Sequence, residues 1–392
     1  MFDDVQNSRA LHEVINDVLW NCKLQIDGID VGIPFICGAP GGGKTASIHQ
    51  LSKEYNFGVV STHLALKPLE ETGGIPQFEN IIINQKPVLG TIWSFPDIMK
   101  VLYEMSELKK DSMVIWFLDD SHLLSPMHMA LLYELFTERS LRGYKIPDNC
   151  AMVMAGNTSV KSGAKVLFSA IINRCVIMPV YTDFNGWKNN FALKEDKKIH
   201  PAVLSFLGNT QYQKFFHEEE QVNTPWGSPR SWTRFSNELL VREKITKKIV
   251  NTSTCLYLGT GYVGKEGASE FVTYYKVFTE FDIVDIVANY ESYTLPDEIV
   301  KKYALSYALT TYYFGKSDRD KITSNVSHLI GLFMKEAPEL AVMIIKEIRQ
   351  FEKSQNKKNI LNKLIFNLQK TEPTLTRNLL KDIVDITTDS GN

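Results

Sequence analysis

The chain has 392 residues, which is enough for two or three domains with a sizeable buried core. Its composition is that of a soluble globular protein, with 44% hydrophobic, 22% charged and 11% aromatic residues. A formal net charge of −2 argues against a protein that coats nucleic acid non-specifically, although a local basic stripe is compatible with it.

Five cysteines are scattered along the chain without a C-x-x-C pair, which indicates reduced thiols rather than a disulfide or zinc framework. The acidic start, Met1-Phe2-Asp3-Asp4, lacks the basic segment that opens a signal peptide. Clean apolar runs such as Met113–Leu118 fall far short of the about 20 residues that a membrane span needs. We therefore expect a cytoplasmic protein that does not cross a membrane.

Strands and helices alternate through the first 180 residues. Buried-strand patterns occur at Ile33–Cys37, Phe57–Leu64, Met113–Leu118, Ala151–Ala155 and Val176–Val180. Helical patterns occur at residues 8–23, Ala46–Lys53, Asp97–Leu108, Met127–Glu138 and about Ala164–Ile172. Leu66–Ile98, rich in Gly and Pro, has the character of an inserted loop and hairpin. This alternation predicts an α/β fold with a mostly parallel sheet and helices on both faces.

Strand signals become sparse from about Tyr181 onward. Amphipathic segments near residues 201–208, 230–250, 266–280, 296–314 and 322–350 indicate an all-helical remainder. Asn356–Asn359 has the composition of a solvated turn, and we expect Thr387–Asn392 to be frayed. The predicted domains are therefore an α/β core at 1–180, with an insertion at about 66–98, and helical regions at 181–290 and 291–392.

The stretch GAPGGGKT, Gly38–Thr45, fits the phosphate-binding pattern G-x-x-x-x-G-K-[ST] at every fixed position. It follows an apolar strand and leads into a helix, where backbone N–H groups and the helix dipole favour phosphate. Lys44 should reach the β- and γ-phosphates, and the Thr45 hydroxyl should ligand Mg²⁺. The expected nucleotide-binding residues are Gly38, Pro40, Gly41, Gly42, Gly43, Lys44, Thr45 and Ala46.

Two acids, Asp119 and Asp120, directly follow the apolar strand Met113–Leu118. A buried strand that delivers a carboxylate beside a phosphate loop provides what Mg²⁺ coordination requires. Asp119 is the expected Mg²⁺ partner, and Asp120 is the candidate that orients or deprotonates the attacking water. Two solvated aspartates would fit less well, because acids directly after a buried strand are costly without a partner.

Three further polar residues follow in chain order. Asn157 ends the next strand, at the sheet edge where ligands bind in open α/β folds, and can help Asp120 hold the water. Arg174, at a helix end, can neutralise charge on a transferring phosphoryl group, or merely favour the helix dipole. Arg230 follows a capping serine and Pro229, an unfavourable first-turn position for a cation, which hints at a phosphate contact.

Taken in order, GAPGGGKT, WFLDD, AGNTS, INRC and GSPRSW resemble the motif set of an AAA+ ATPase. The insertion Leu66–Ile98, the run IPDNCAMVMAGN and the run HPAVLSFLGN ahead of SPRSW more closely resemble its MoxR-like branch, including phage and bacterial members. The resemblance covers roughly residues 10–280, and the last hundred residues share only a helical character with the family.

This resemblance implies an α/β P-loop NTPase core and a helical lid, assembled as a ring, commonly a hexamer, with ATP between subunits. Gly38–Thr45 would be Walker A, Asp119 and Asp120 Walker B, and Asn157 sensor 1. Arg174 would be an arginine finger acting on the neighbouring subunit, and Arg230 would be sensor 2. The implied activity is Mg²⁺-dependent ATP hydrolysis that remodels a client protein, often one with a von Willebrand A domain.

Asp120 departs from the family pattern, which usually has Glu at this position. The shorter side chain withdraws the carboxylate by one methylene, and small misplacements can cost ~100-fold in rate. This keeps open a nucleotide-gated assembly scaffold with little hydrolysis. A nucleic-acid motor or loader is a third alternative, disfavoured by the near-neutral charge.

Other motifs have plainer interpretations. Gly261-Tyr262-Val263-Gly264 resembles a pore-loop signature but lies after the sensor 2 position, so we interpret it as a turn before a helix near Lys265. A substrate loop fits better at Gly73–Phe78 or near Trp93. The basic run Lys244–Lys248 is interpreted as a solvated face. The eight histidines contain no H-x-x-x-H pair, so no metal is expected beyond Mg²⁺.

Overall fold

The computed structural model describes residues 8–157, 167–194, 199–217, 221, 223–316, 318–354 and 359–377. The chain forms two compact units, the first ending at Thr182 and the second beginning at Asp183. The finer separation of residues 181–290 from 291–392 stays a prediction.

The first unit is built on a parallel sheet. The strands of the unit are β1 (Arg9–Ala10), β2 (Ile33–Gly38), β3 (Gly58–Thr62), β4 (Pro76–Ile83), β5 (Lys86–Trp93), β6 (Val114–Leu118), β7 (Ser140–Leu141), β8 (Tyr144–Lys145), β9 (Cys150–Gly156) and β10 (Cys175–Tyr181). Six of them pair in the order β1-β10-β2-β9-β6-β3, and each neighbouring pair is parallel. The carboxyl ends of β2, β3, β6 and β9 therefore meet at one edge, where the polar residues of the candidate site follow.

Helices cover both faces of this sheet. They are α1 (Leu11–Ile26), α2 (Lys44–Tyr55), α3 (Leu69–Gly73), α4 (Asp97–Leu108), α5 (Pro126–Glu138) and α6 (Ser169–Ile172). Side chains of β6 alternate between two cores: Val114 and Trp116 pack with α4 and α5, whereas Ile115 and Phe117 pack with α1 and α2. Burial on both faces explains why β6 and β9 are continuous apolar runs.

Strands β4 and β5 form an antiparallel hairpin outside the sheet, closed by Asn84 and Gln85, which both have positive φ. Its base is anchored, because Trp93 lies 4.0 Å from the Arg142 guanidinium and accepts a 2.8 Å hydrogen bond from the Tyr144 hydroxyl through its carbonyl. Beyond that base, most residues of both strands are exposed. This hairpin lies in the segment where the sequence predicts an insertion.

The second unit is helical throughout its described residues. Its helices are α7 (Phe184–Trp187), α8 (Pro201–Gly208), α9 (Pro229–Thr246), α10 (Thr252–Val263), α11 (Lys265–Thr279), α12 (Ile283–Ala288), α13 (Ile299–Gly315), α14 (Thr323–Glu336), α15 (Pro338–Ser354) and α16 (Ile360–Thr371). An aromatic-rich core that includes Phe206, Trp232 and Phe271 lies among α8, α9 and α11. A second, more aliphatic core that includes Phe333 and Ile344 lies among α13 to α16. No described helix is both long and apolar enough for a membrane span.

The fold class expected from the sequence, a mostly parallel α/β core followed by a helical region, is confirmed. Some element predictions are wrong in detail. The helix expected at about Ala164–Ile172 begins only at Ser169 among the described residues. The segment 322–350 is two helices, because Pro338 lacks the N–H that a continuous helix needs and instead starts α15.

The turn expected at Gly261–Gly264 is mostly helical. Tyr262 and Val263 are the last residues of α10, and only Gly264 is outside a helix, with φ of 85°. A Cβ at Gly264 would lie 2.7 Å from the Pro225 carbonyl oxygen, which leaves no room for a side chain. The turn predicted at Asn356–Asn359 and the tail at Thr387–Asn392 fall wholly or largely outside the described residues.

Candidate nucleotide-binding site

The glycine-rich loop connects β2 to α2. Gly43 has φ of 95°, a left-handed conformation that a side chain would strain, and α2 begins at the next residue, Lys44. Gly38 lies so close to β10 that an added Cβ would come within 2.6 Å of the Val180 carbonyl oxygen. The Thr182 hydroxyl donates a 2.5 Å hydrogen bond to the Gly42 carbonyl. The end of β10 therefore holds the loop in place.

Lys44 is buried, and its ammonium group donates hydrogen bonds to three acceptors among the described residues. The acceptors are the carbonyls of Gly38 at 2.8 Å and Ala39 at 2.9 Å, and the Asn157 side-chain oxygen at 3.0 Å. The cation is thus folded back over its own loop. Phosphate oxygens can replace such carbonyl acceptors, because a charged acceptor forms a stronger bond with an ammonium group.

Thr45 and Asp119 meet directly. The Thr45 hydroxyl donates a 2.6 Å hydrogen bond to the Asp119 carboxylate, whose other oxygen accepts from the Asp120 backbone N–H at 2.9 Å. Asp119 is buried at the end of β6. A hydroxyl and a carboxylate in contact fit Mg²⁺, which takes few protein oxygens and completes its octahedron with water and phosphate. Within the described ranges, no cluster of three His, Cys, Asp or Glu residues could hold a metal by itself.

Asp120 adopts a left-handed conformation, with φ of 51°, and begins a 3₁₀ turn at Ser121–Leu123. Its carboxylate lies 3.1 Å from Nδ1 of His63, which follows β3. Both side chains are roughly two-fifths exposed, so water reaches them. The sequence interpretation did not include His63, because its contact with Asp120 depends on the adjacency of β3 and β6.

Asn157 links Lys44 to His122. Its side-chain oxygen accepts from Lys44, so its amide nitrogen faces Nε2 of His122 at 3.2 Å and must donate to it. His122 lies in the 3₁₀ turn after Asp120 and is buried.

Arg174 follows α6 in the chain and takes no part in these contacts; it bonds residues of α5 and α6 instead. Its guanidinium donates to the Thr137 hydroxyl and the Ala170 carbonyl, both at 2.9 Å, and lies 4.1 Å from the Tyr133 ring. It lines an open groove of about 980 Å³ together with Asn173. The structure therefore does not bring Arg174 to the loop of its own chain.

Arg230 belongs to the second unit. It is exposed in the first turn of α9, after a capping box in which Ser228 and Ser231 bond each other's backbone N–H and Pro229 takes the first helical position. The local features expected from the sequence are present, whereas its contact with phosphate stays a prediction.

Cys37 immediately precedes the loop and is buried in the sheet. Burial raises the pKa of its thiol to about 12, and the charge of Lys44 lowers it only in part. The thiol is therefore neutral at physiological pH and packs as a small apolar group.

No family model matches the chain. No curated protein is significantly similar to it. Among solved structures, it is similar to two point mutants of Thermotoga maritima RuvB, each at 13% identity and a TM-score of 0.36, covering 84% and 86% of this chain and 86% and 89% of those chains. The RuvB Holliday junction branch migration motor of the same organism also has 13% identity and a TM-score of 0.36, covering 79% of this chain and 90% of that one. Similarity this weak establishes neither a family nor a function.

The class of the protein is therefore defined by its own architecture. A parallel α/β sheet carries a G-x-x-x-x-G-K-T loop between β2 and α2, and the ends of β6 and β9 bring an acid and an amide beside it. This is the architecture of an α/β protein with a P-loop.

Proposed function

We propose that this chain is a Mg²⁺-dependent ATPase of the AAA+ type. The observation that supports it best is the pair of hydrogen bonds at the sheet edge, in which Lys44 meets Asn157 and Thr45 meets Asp119. The first residues of α2 and the residues that directly follow β6 and β9, far apart in sequence, supply these side chains. The amide, the ammonium and the carboxylate are the groups that hold a triphosphate and its metal.

In this proposal Lys44 exchanges its bonds to Gly38 and Ala39 for bonds to phosphate oxygens. Thr45 and Asp119 would hold Mg²⁺, directly or through water, and the ion would neutralise charge on the phosphates. Gly38, Pro40, Gly41, Gly42, Gly43 and Ala46 would line the nucleotide through their backbone.

Asp120 would position the attacking water and accept its proton. The contact with His63 holds the Asp120 carboxylate on the β3 side of the edge, so His63 acts as a positioning residue. Asn157, fixed by His122 on one side and Lys44 on the other, would orient the same water.

Catalysis would need a second copy of the chain. Arg174 contacts its own Thr137 and Tyr133 and borders an open groove, so its guanidinium is available to phosphate from outside the chain. An arginine entering from a neighbour typically raises the rate by orders of magnitude. We propose that the copies form a ring, a hexamer as in the family that the motifs resemble, with Arg230 as a further phosphate contact. The MoxR-like resemblance further supports a protein client, including one of the von Willebrand A class.

The test is the steady-state ATPase rate per subunit as a function of protein concentration, with Mg²⁺ present and light scattering recorded on the same samples. A rate that rises with assembly supports hydrolysis between subunits. A rate that is constant while the ATP-dependent part of the scattering grows contradicts it.

The second candidate is a scaffold that assembles on ATP and hardly hydrolyses it. It is favoured by one observation: Asp120, one methylene shorter than Glu, is engaged by His63. Rings that form with ATP and turn over almost nothing would support this candidate.

A further inference from the structure

The second half of α9 carries an exposed apolar stripe among cations. Val241 and Ile245 lie one turn apart on α9, and Ile249 follows in the segment after the helix ends at Thr246; the three side chains are 54%, 75% and 60% exposed. Exposed lysines at 244, 247 and 248 flank this stripe. We call these six residues the basic face.

A groove continues the basic face toward the start of α9. Arg234, Val241 and Tyr262 border a concavity of about 490 Å³ between α9 and α10. The two helices run antiparallel, because Tyr262 bonds Glu238 while Cys255 lies near Glu243. The apolar stripe and the groove adjoin on α9, because Val241 belongs to both.

The charge of this surface is strongly positive. Residues 229–264 carry six cationic and two acidic side chains, in a chain with a net charge of −2. Both acids have internal partners: Glu238 bonds Arg242 and Tyr262, and Glu243 bonds His200 and Tyr275. In the described part of the chain, the three lysines and Arg234 have no carboxylate within ion-pair distance.

This combination fits an acidic segment with interleaved aliphatic side chains better than it fits nucleic acid. Phosphate backbones would satisfy the lysines, but single strands bind through aromatic stacking and would leave Val241, Ile245 and Ile249 in water. An acidic peptide with aliphatic side chains satisfies both the charge and the apolar stripe.

The chain contains such a segment. Residues 378–392 read NLLKDIVDITTDSGN, with three aspartates among five Leu, Ile and Val residues. The segment continues from 377 in the same compact unit as α9, and fifteen residues reach about 50 Å when extended. We propose that residues 378–392 dock on the basic face, either of their own copy or of a neighbouring one. This proposal does not depend on nucleotide hydrolysis.

Cross-linking of the full chain tests the docking. Ile245→Cys is combined with Ile386→Cys and treated with a short bismaleimide, and each single variant gives the background from native thiols. Ile299→Cys with Ile386→Cys is the matched control, since Ile299 is also 63% exposed and lies in the same unit, next to Glu298. We expect strong cross-linking only for the Ile245 pair. A product of monomer mass places the tail on its own copy, and one of dimer mass places it on a neighbour.

Charge reversal gives the specificity of the contact. Lys244→Glu, Lys247→Glu and Lys248→Glu together should lower the cross-linked yield roughly fivefold, as expected for the loss of three surface ion pairs. Asp382→Lys, Asp385→Lys and Asp389→Lys in the same chain should restore it. If circular dichroism shows that the charge-reversed protein is not folded, the cross-linking is instead repeated with the native lysines at about 1 M salt. The screening length then falls to about 3 Å, and the yield should fall likewise.

Equal yields for Ile245 and Ile299, or a yield unaffected by both charge reversal and salt, would overturn the proposal. So would a 20-base-pair duplex that binds through the three lysines while the tail pair gives only background. That outcome would assign the face to nucleic acid.

Discussion

Two largely buried polar networks, one in each unit, differ in whether a ligand can displace their hydrogen-bond acceptors. The loop network consists of Lys44, Thr45, Asp119 and Asn157, and the helical network consists of His200, Glu243 and Tyr275. In the loop network Lys44 donates to carbonyls of a glycine loop, which a ligand can displace. In the helical network Glu243 accepts from Tyr275 at 2.9 Å and pairs with His200 at 3.2 Å.

In the helical network, the hydrogen bonds of His200, Glu243 and Tyr275 are made to other groups of the protein. Nδ1 of His200 accepts from the Ala202 backbone N–H, so Nε2 carries the proton that reaches Glu243. Tyr275 lies within the aromatic core. Both networks are largely buried, so burial alone does not identify a functional site. Bonds that a ligand can replace do, and substitutions in the two networks should therefore affect different measurements.

Lys44→Ala should have the largest effect on ligand binding. Loss of a charged donor to phosphate should weaken ATP affinity by about 100-fold or more, as measured by isothermal titration calorimetry. Unfolding in urea, measured in parallel, separates this effect from a loss of stability, because Lys44 also bonds the buried Gly38 carbonyl. Unchanged ATP affinity would refute the loop network as a phosphate site.

Arg174→Ala should lower turnover by about 10³-fold and leave ATP affinity unchanged, because in the proposed ring its partner phosphate would lie on another copy. Mixing it with Asp120→Asn should restore part of the activity, since some interfaces then combine an intact arginine with an intact acid. No restoration at any mixing ratio argues against catalysis between subunits.

Asp120→Glu lengthens the carboxylate by one methylene toward the length usual in the family that the motifs resemble. We expect the rate per assembled subunit to rise by up to ~100-fold, with ATP affinity unchanged. His63→Ala is the companion variant, because it frees Asp120 without changing its length. A fall in rate for Asp120→Glu would show that His63 and Asp120 are already matched.

Glu243→Gln should destabilise the second unit by about 1–3 kcal/mol and leave ATP affinity unaltered. Burial raises the pKa of Glu243, but hydrogen bonds from His200 and Tyr275 outweigh burial and hold that pKa below its ordinary value of 4.5. A carboxyl with a lowered pKa stabilises the fold above its unfolded pKa and loses this contribution as pH falls through its folded pKa. The urea midpoint difference between native and variant proteins should thus be full at pH 7 and shrink below pH 4.5. A difference independent of pH contradicts this account.

Tyr275→Phe is the smallest of these changes. It removes the 2.9 Å bond to Glu243 and keeps the ring in place, so we expect a loss of about 1 kcal/mol in the free energy of unfolding. Thermal and urea unfolding of the variant measure it. A loss as large as that of Glu243→Gln would mean that the hydroxyl, rather than the His200 contact, dominates the network.

The sequence predicts the loop network better than the helical one. GAPGGGKT and the acids after an apolar strand are local patterns, so Lys44, Thr45 and Asp119 are identifiable without knowledge of the sheet order. His63 and Thr182 are not, because their contacts with Asp120 and Gly42 arise from strand pairing and from the path of β10. His200 and Glu243 are 43 residues apart, and no local pattern joins them.

Helix ends show the same limit. The start of α9 is encoded locally by Ser228 and Pro229 and is correctly expected. The break between α14 and α15 also has a local signal in Pro338, but the apolar periodicity on both sides favours the prediction of one long segment. Contacts within a few residues are readable from sequence, whereas those between elements need the fold.

We expect the β4–β5 hairpin to promote association of the protein in concentrated solution. Phe78, Ile82 and Leu89 lie on one face of it and are 77%, 69% and 69% exposed. An exposed apolar surface of this kind promotes nonspecific association with or without nucleotide. Scattering intensity alone therefore overstates ordered assembly, and only the increment produced by ATP reports it. Phe78→Lys should lower the scattering intensity measured without nucleotide, so that the increase produced by ATP can be measured more clearly.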